Sequence, residues 1–299
     1  MKPLVDGDIL LYEVSSQGQY KDVLTGEVNI KDFDSCIEFL ELKLREIEEG
    51  CMASEPSEIY LTMDESLANQ LNRGLAKENE KLIVYRPNFR NALATTKKYK
   101  GNRDGAEKPY HFYNLRAYIL SQYPVVLADG IEADDLLGSS YREGCVICSR
   151  DKDLRQIPGV HFTWQCGKQP QSGPDVVSDP GELVVSPDGK KIKGHGLKFF
   201  FYQMLVGDPT DNIPGCPGIG PKKAFAALDS LFTEDDMLTA VSSLYKERVG
   251  EQWIDMFNEQ AALLWIAREL DEDGLPVMYR IGASVEREGR TPKGSLSQV

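Results

Sequence analysis

Carboxylates recur along this chain where a metal-assisted reaction could use them. Asp6 closes the apolar run "PLVD", and Asp64 closes "IYLTMD". The stretch "GIEADDLLG" carries Glu132, Asp134 and Asp135; "SRDKDLR" carries Asp151 and Asp153; "GDPTDN" carries Asp208 and Asp211. Two carboxylates about 5 Å apart repel by roughly 3 kcal/mol at an effective dielectric of 20, so gathering all of these in one cleft requires cations. Oxygen-only ligands suit Mg²⁺ or Mn²⁺ rather than zinc. Two or more such ions about 4 Å apart are a recurrent device for hydrolysing phosphodiesters. Each acid alone has a plainer reading. Asp134 at a helix start could be a cap or dipole partner, and Asp151 with Asp153 could form a strand-to-helix turn. Their convergence is what argues for a site.

Positive charge is concentrated once. "TTKKYKGNRDGAEK" sets Lys97, Lys98, Lys100, Arg103 and Lys108 against Asp104 and Glu107, a local net of +3 in a chain of −13. Tyr99 and Tyr110 are interleaved, and an aromatic ring can stack on a splayed base. By itself this is as well read as a solvated loop; beside a carboxylate cluster it becomes a candidate phosphate contact. Next comes "GDPTDNIPGCPGIGPKKA" (207–224), where Gly and Pro dictate the backbone position by position. A solvated linker needs no such control.

These residues need a scaffold, and the hydrophobic pattern describes one. Short apolar runs at 3–6, 59–64, 81–87, 124–129 and 145–151 alternate with helical spacing, as in "FDSCIEFLELKLREIEEG", "FYNLRAYILSQ" and the segment from about Glu132 to Arg142. Such alternation predicts an α/β fold with a mostly parallel sheet flanked by helices, whose ligands bind beyond the carboxyl ends of the strands. Most of the acids fall at such ends. Residues 165–195 read as irregular loop or a hairpin, and four helical segments follow, the last "WIDMFNEQAALLWIARELDED". The expected organisation is a catalytic α/β domain over 1–165, a helical domain over 166–283 and a mobile tail over 284–299.

Composition narrows the class. With 41% hydrophobic and 27% charged residues in 299, the chain reads as an ordinary globular protein. It has no run long enough to span a membrane. Aspartates occupy the place of a signal peptide's apolar region, and the six cysteines lack framework spacing, so a reducing, cytoplasmic setting is expected. The net charge of −13 argues against nonspecific coating of nucleic acid, although acids gathered at a metal site inflate that count. Cys145 and Cys148 have redox or zinc spacing but sit in a predicted buried strand with no second pair. His111, His161 and His195 are scattered, and Gly218-Ile-Gly220 follows no strand that would make it a nucleotide loop.

In order along about 3–228, these blocks resemble the 5′-nuclease family of flap endonucleases and 5′→3′ exonucleases, particularly the bacteriophage members. "LVDGDILLY" is similar to the family's first strand with its leading aspartate. "NFR" (88–90) and "YKGNRDG" resemble the basic segment before the helical arch. "EADDLLG", "SRDKDLRQI" and "GDPTDNIPGCPGIGPKKA" resemble the acidic helix start, the S-x-D-x-D turn, and the last metal-site pair followed by a helix-hairpin-helix. One departure is clear: about two dozen residues separate Asp64 from the "FR" pair, where relatives have only a few.

The resemblance implies a PIN-like fold, two or more Mg²⁺ (or Mn²⁺) ions on the nine acids, and Lys100 and Arg103 as the catalytic cations over the scissile phosphate. It implies DNA contacts from Arg90, Lys97, Lys98 and Tyr99, and from Gly218, Gly220, Lys222 and Lys223 of the hairpin, where K⁺ would bind carbonyls. The expected substrate is DNA at 5′ ends, flaps or nicks, with RNA–DNA hybrid at primers a further candidate. The expected use is replication or host-DNA degradation, by a monomer in the cytoplasm (the host's, if viral). Two alternatives stay open: a PIN-like ribonuclease, against which the hairpin argues, and an inactive junction-binding protein, against which Asp151, Asp153, Asp208 and Asp211 argue.

Overall fold

A computed structural model describes residues 1–281 except 79, 190 and 280. The expected tail over 284–299 lies outside the described residues. The chain opens with β1 (Lys2–Asp6), α1 (Gly7–Gln17), a small hairpin of β2 (Gln19–Lys21) and β3 (Val28–Ile30), α2 (Phe33–Gly50), β4 (Glu58–Thr62) and α3 (Glu65–Leu75). After a short α4 (Arg90–Leu93) come α5 (Phe112–Gln122), β5 (Val125–Ala128), α6 (Ala133–Ser140), β6 (Cys145–Cys148), β7 (Gly159–Thr163) and β8 (Ser172–Val177). A second hairpin, β9 (Glu182–Val185) and β10 (Ile192–His195), leads into α7 (Gly196–Val206), α8 (Pro221–Leu228), α9 (Glu234–Val249) and α10 (Trp253–Leu264).

Six strands form one sheet in the order β5-β4-β1-β6-β7-β8, parallel except for β8, which pairs antiparallel with β7. Alternation of side chains along β1 serves two cores. Val5 faces α1, α2 and α5 through Leu11, Leu44 and Leu115, whereas Leu4 faces Leu137 of α6 and Leu154 and Ile157 of the turn after β6. A third core, rich in aromatics from α7, unites the C-terminal helices. Helices start where the sequence supplies caps: Asp6, Asp32 and Asp64 each accept a backbone N–H at the head of α1, α2 and α3.

Three local expectations change. Residues 81–87 form no strand; the Asn72 side chain both donates to the Ile83 carbonyl and accepts its N–H, and β5 takes the place beside β4. The sheet continues past residue 165 into β8, and 263–267 return to pack beside α6, so the expected division at 165 cuts through shared structure. The last helix stops at Leu264 because Arg90 and Gln156 bind the carbonyls of Leu263, Leu264 and Trp265. Among the described residues, no helix is long and apolar enough to cross a membrane.

Candidate active site

The carboxyl ends of the central strands open onto a cavity of about 250 Å³ whose wall includes Asp6, Asp8, Glu132, Asp134, Asp151, Asp153, Asp208 and Asp211, with Lys100 and Arg103 at its rim. A larger hollow of about 700 Å³ lies between Thr95–Thr96 and α10, but it is lined by Asp255 and Glu259 without a cation and offers no comparable chemistry.

The wall is built from strand ends. Asp6 accepts from Ile9 N at 3.1 Å and from Ser149 Oγ at 2.6 Å, and Ser149 Oγ in turn accepts from Asp151 N at 2.8 Å. Burial pushes the Asp6 carboxyl up to about 7; the Ser149 bond opposes the rise, and Asp8 and Asp151 add to it. Asp8 accepts from Thr62 N at 3.1 Å, tying the start of α1 to β4. Asp134 has no hydrogen-bond donor or ion-pair partner among the described residues. Burial, then the charges of Asp6 and Asp151, push it well above the usual carboxylate range.

The opposite wall is the loop after α7. Its sharp turn depends on glycine: Gly207 and Gly215 both have positive φ, and a Cβ on Gly207 would lie 2.2 Å from the Ile213 carbonyl oxygen. Gln260 of α10 accepts the Gly215 N–H at 2.9 Å. This loop is fastened to the basic segment. Lys100 N donates to the Asp211 carbonyl at 2.9 Å, Asn102 Nδ2 to the Pro209 carbonyl at 2.8 Å, and Asn212 Nδ2 to the Lys98 carbonyl at 2.9 Å. Both Lys100 and Asn212 adopt left-handed backbone, a conformation that surrounding structure must enforce.

Two ammonium groups bridge the walls. Lys100 Nζ lies 2.5 Å from Glu132 and 3.8 Å from Asp211. Lys152 Nζ lies 2.9 Å from Asp153 and 2.6 Å from Asp208. Burial would raise Glu132 and Asp208, but Lys100 and Lys152 outweigh it and hold both carboxyls below their ordinary values. Asp153 is pushed up to about 7 by burial and the adjacent Asp151 despite Lys152. Arg103 completes the rim at 2.7 Å from Asp211.

The donor set is carboxylate oxygen throughout, and Asp134 has neither a hydrogen-bond donor nor an ion-pair contact among the described residues. Both facts fit hard divalent cations such as Mg²⁺. Among the described residues no three of these groups already close on one point; Lys100 joins Glu132 to Asp211, and Lys152 joins Asp153 to Asp208.

Four expected site residues serve other ends. Asp64 caps α3 through Leu67 N at 2.7 Å and pairs with Arg116 at 2.9 Å, outside the acidic cavity. Asp135 is fully buried in a bidentate pair with Arg90 and also accepts Ala267 N, so it is a structural acid. Arg90, 1% exposed and bonded to the Leu263 and Trp265 carbonyls, cannot reach DNA. Tyr99 is buried with its hydroxyl on Glu132 and Asp211, so its ring is not a free stacking platform. By contrast Lys97, Lys98, Lys222 and Lys223 are exposed, and Gly218 and Gly220 leave open space where a Cβ would stand. Sequence reasoning passed over Asp8, Lys152, Ser149 and Gln203. Asp8 two residues after Asp6, and Lys152 between two chosen aspartates, were the available signals.

No protein-family model matches the chain. The DNA polymerase I of Geobacillus stearothermophilus is 30% identical over 198 residues, 60% of this chain and 21% of that one. The DNA polymerase I of Rhizobium leguminosarum is 34% identical over 130 residues, 40% of this chain and 12% of that one. A Buchnera aphidicola 5'-3' exonuclease is 30% identical over 189 residues, 58% of this chain and 60% of that one. The chain thus spans a minor part of the polymerases and less than two thirds of the exonuclease. A solved bacteriophage T5 D15 flap endonuclease aligns over 88% of this chain and 98% of its own at 12% identity, but a TM-score of 0.44 adds nothing to the fold described above. In sequence, the chain is a relative of 5'-3' exonucleases and of part of DNA polymerase I, as the order of its motifs implied.

Proposed function

We propose that this chain is a divalent-metal-dependent 5′-nuclease that hydrolyses DNA phosphodiesters at 5′ ends, flaps or nicks. The observation that carries the reading is the cavity itself: eight carboxylates, four of them (Asp6, Asp8, Asp134 and Asp151) in no ion pair among the described residues, under a rim of Lys100 and Arg103. Relatives named 5'-3' exonuclease support it. Two or more Mg²⁺ (or Mn²⁺) ions, when bound, supply Lewis-acid stabilisation of phosphoryl oxygens and acidify water.

The chain's own groups divide the remaining work. Asp6, Asp134, Asp151 and Asp153 offer oxygens from the strand-end wall, and Asp208 and Asp211 from the opposite one. Ser149 and Gln203 fix the orientation of Asp6, Asp151 and Asp153 through the hydrogen bonds they make. Lys100 and Arg103 face charge that grows on the phosphate's non-bridging oxygens. Backbone N–H groups around Gly218 and Gly220, with Lys222 and Lys223, take duplex phosphates at the start of α8, and the hairpin carbonyls can accept K⁺. This favours DNA over RNA as the principal substrate, with RNA primers as a further target. All six cysteines are free, which fits a reducing setting such as the cytoplasm.

The test uses 5′-labelled flap, nicked, blunt and RNA–DNA duplexes with Mg²⁺. Release of labelled mononucleotides indicates exonuclease action, and a single labelled oligomer indicates flap cutting. Cleavage that continues in excess chelator would overturn the reading.

A further inference from the structure

We propose that Lys152 is a built-in counterion of the acidic cleft. Its ammonium holds Asp153 and Asp208 together until a divalent cation replaces it, and thereby limits how tightly that cation binds. This inference rests on the metal-dependent reading above.

The two lysines of the cleft are held differently. Lys100 is 28% exposed, anchored by its left-handed backbone and by the Tyr99 ring 5.0 Å from its Nζ. Lys152 has a side chain 57% exposed and reaches the cleft from the solvent side. Among the described residues it is also the sole cation within ion-pair distance of Asp153 or Asp208. Both acids keep another donor when it leaves. Gln203 Nε2 donates to Asp153 Oδ1 at 2.7 Å, and Thr210 N donates to Asp208 Oδ1 at 2.7 Å. The carboxylates therefore stay aimed at the cleft while their single positive charge is exchanged for a double one. A cation that must first displace Lys152 binds more weakly than one that finds bare carboxylates. A salt bridge remote from the metal-binding carboxylates would have no such effect on metal affinity.

Mn²⁺ titration of the full chain, read by the electron paramagnetic resonance of free Mn²⁺, separates these cases. Lys152→Met should bind one Mn²⁺ about 10- to 100-fold more tightly than wild type, while its metal-free melting temperature falls. Lys152→Arg should stay close to wild type. Lys152→Gln reads the same effect if the Met variant does not fold. Wild-type binding with no tightening in the Met or Gln variants overturns the role of Lys152 and leaves the metal centre intact. Absence of Mn²⁺ binding in wild type and all variants overturns the metal-centre reading, and this inference with it.

Discussion

Arg90 and Asp135, forty-five positions apart, form a bidentate ion pair in which neither side chain is more than 1% exposed. The remaining Arg90 donors reach the carbonyls of Leu263 and Trp265. Removing one partner of such a pair strands a buried charge, which costs roughly 3–5 kcal/mol. Asp135→Ala should therefore lose about that much in urea denaturation without metal. Asp151→Asn should lose little or gain, since it relieves repulsion. Similar losses in the two variants would mean that Asp135 and Asp151 have the same role.

Lys100 and Lys98 lie two residues apart in different settings. Lys100 reaches into the cleft to Glu132, whereas Lys98 pairs with Asp104 on the surface, where both side chains are more than 60% exposed. Loss of one preorganised charge-stabilising group typically costs about 10²–10³ in rate. Lys100→Ala should lose that much in single-turnover cleavage with a small loss of DNA affinity. Lys98→Ala should weaken binding slightly and leave the chemical step unchanged. Equal effects on the chemical step would remove Lys100 from catalysis.

Glu259 receives four hydrogen bonds, from the backbone N–H and hydroxyl groups of Thr95 and Thr96. It anchors the start of the basic segment to α10. Glu259→Gln and Glu259→Ala remove the same charge, but glutamine keeps an oxygen that can accept the two backbone N–H groups, whereas alanine removes both acceptors. The alanine variant should cleave about tenfold more slowly than the glutamine variant, since small misplacements of positioned groups cost rate steeply, and it should show faster amide exchange over 95–103. Indistinguishable variants would reduce the contact to surface decoration.

His161 is buried, with Nε2 2.7 Å from the Ile157 carbonyl, and burial pushes it down to about 4. Below its unfolded value of about 6.5 the unfolded chain takes up the proton first, so this contribution to stability is full above about 6.5 and lost as pH falls toward 4. At pH 5 the loss is about 2 kcal/mol. Asp6 and Asp153, raised to about 7, act in the opposite direction, so wild type alone cannot isolate the effect. Urea midpoints at pH 7.5 and 5, compared between wild type and His161→Gln, should show the histidine's share vanish in the variant. An unchanged pH dependence would contradict it.

The sheet and most of the acidic wall were legible because the signals are local: apolar runs ending in aspartate, helices opening on acids, and a loop that only Gly and Pro could shape. What was not legible depends on partners distant in sequence. Asp134 and Asp135 are adjacent, and a turn of about 100° on α6 sends one into the cavity and the other to Arg90. Nothing near either residue reveals the difference. Tyr99 beside two lysines has the sequence setting of a stacking ring, but its hydroxyl bonds Glu132 and Asp211 from distant segments. The opening Ser-Gly-Pro-Asp of β8 reads as loop, yet β7 gives it a partner.

The return of residues 263–267 to the sheet side has a consequence for the order in which this chain can fold as it is made. Arg90 and Gln156 find acceptors at Leu263, Leu264 and Trp265, and Asp135 takes the Ala267 N–H. A nascent chain released only as far as β8 would carry the whole parallel sheet but leave a buried guanidinium short of two of its partners. The acid-lined face can thus be completed only late in synthesis, so the emerging polypeptide acquires this carboxylate arrangement after almost all of its described length has left the ribosome.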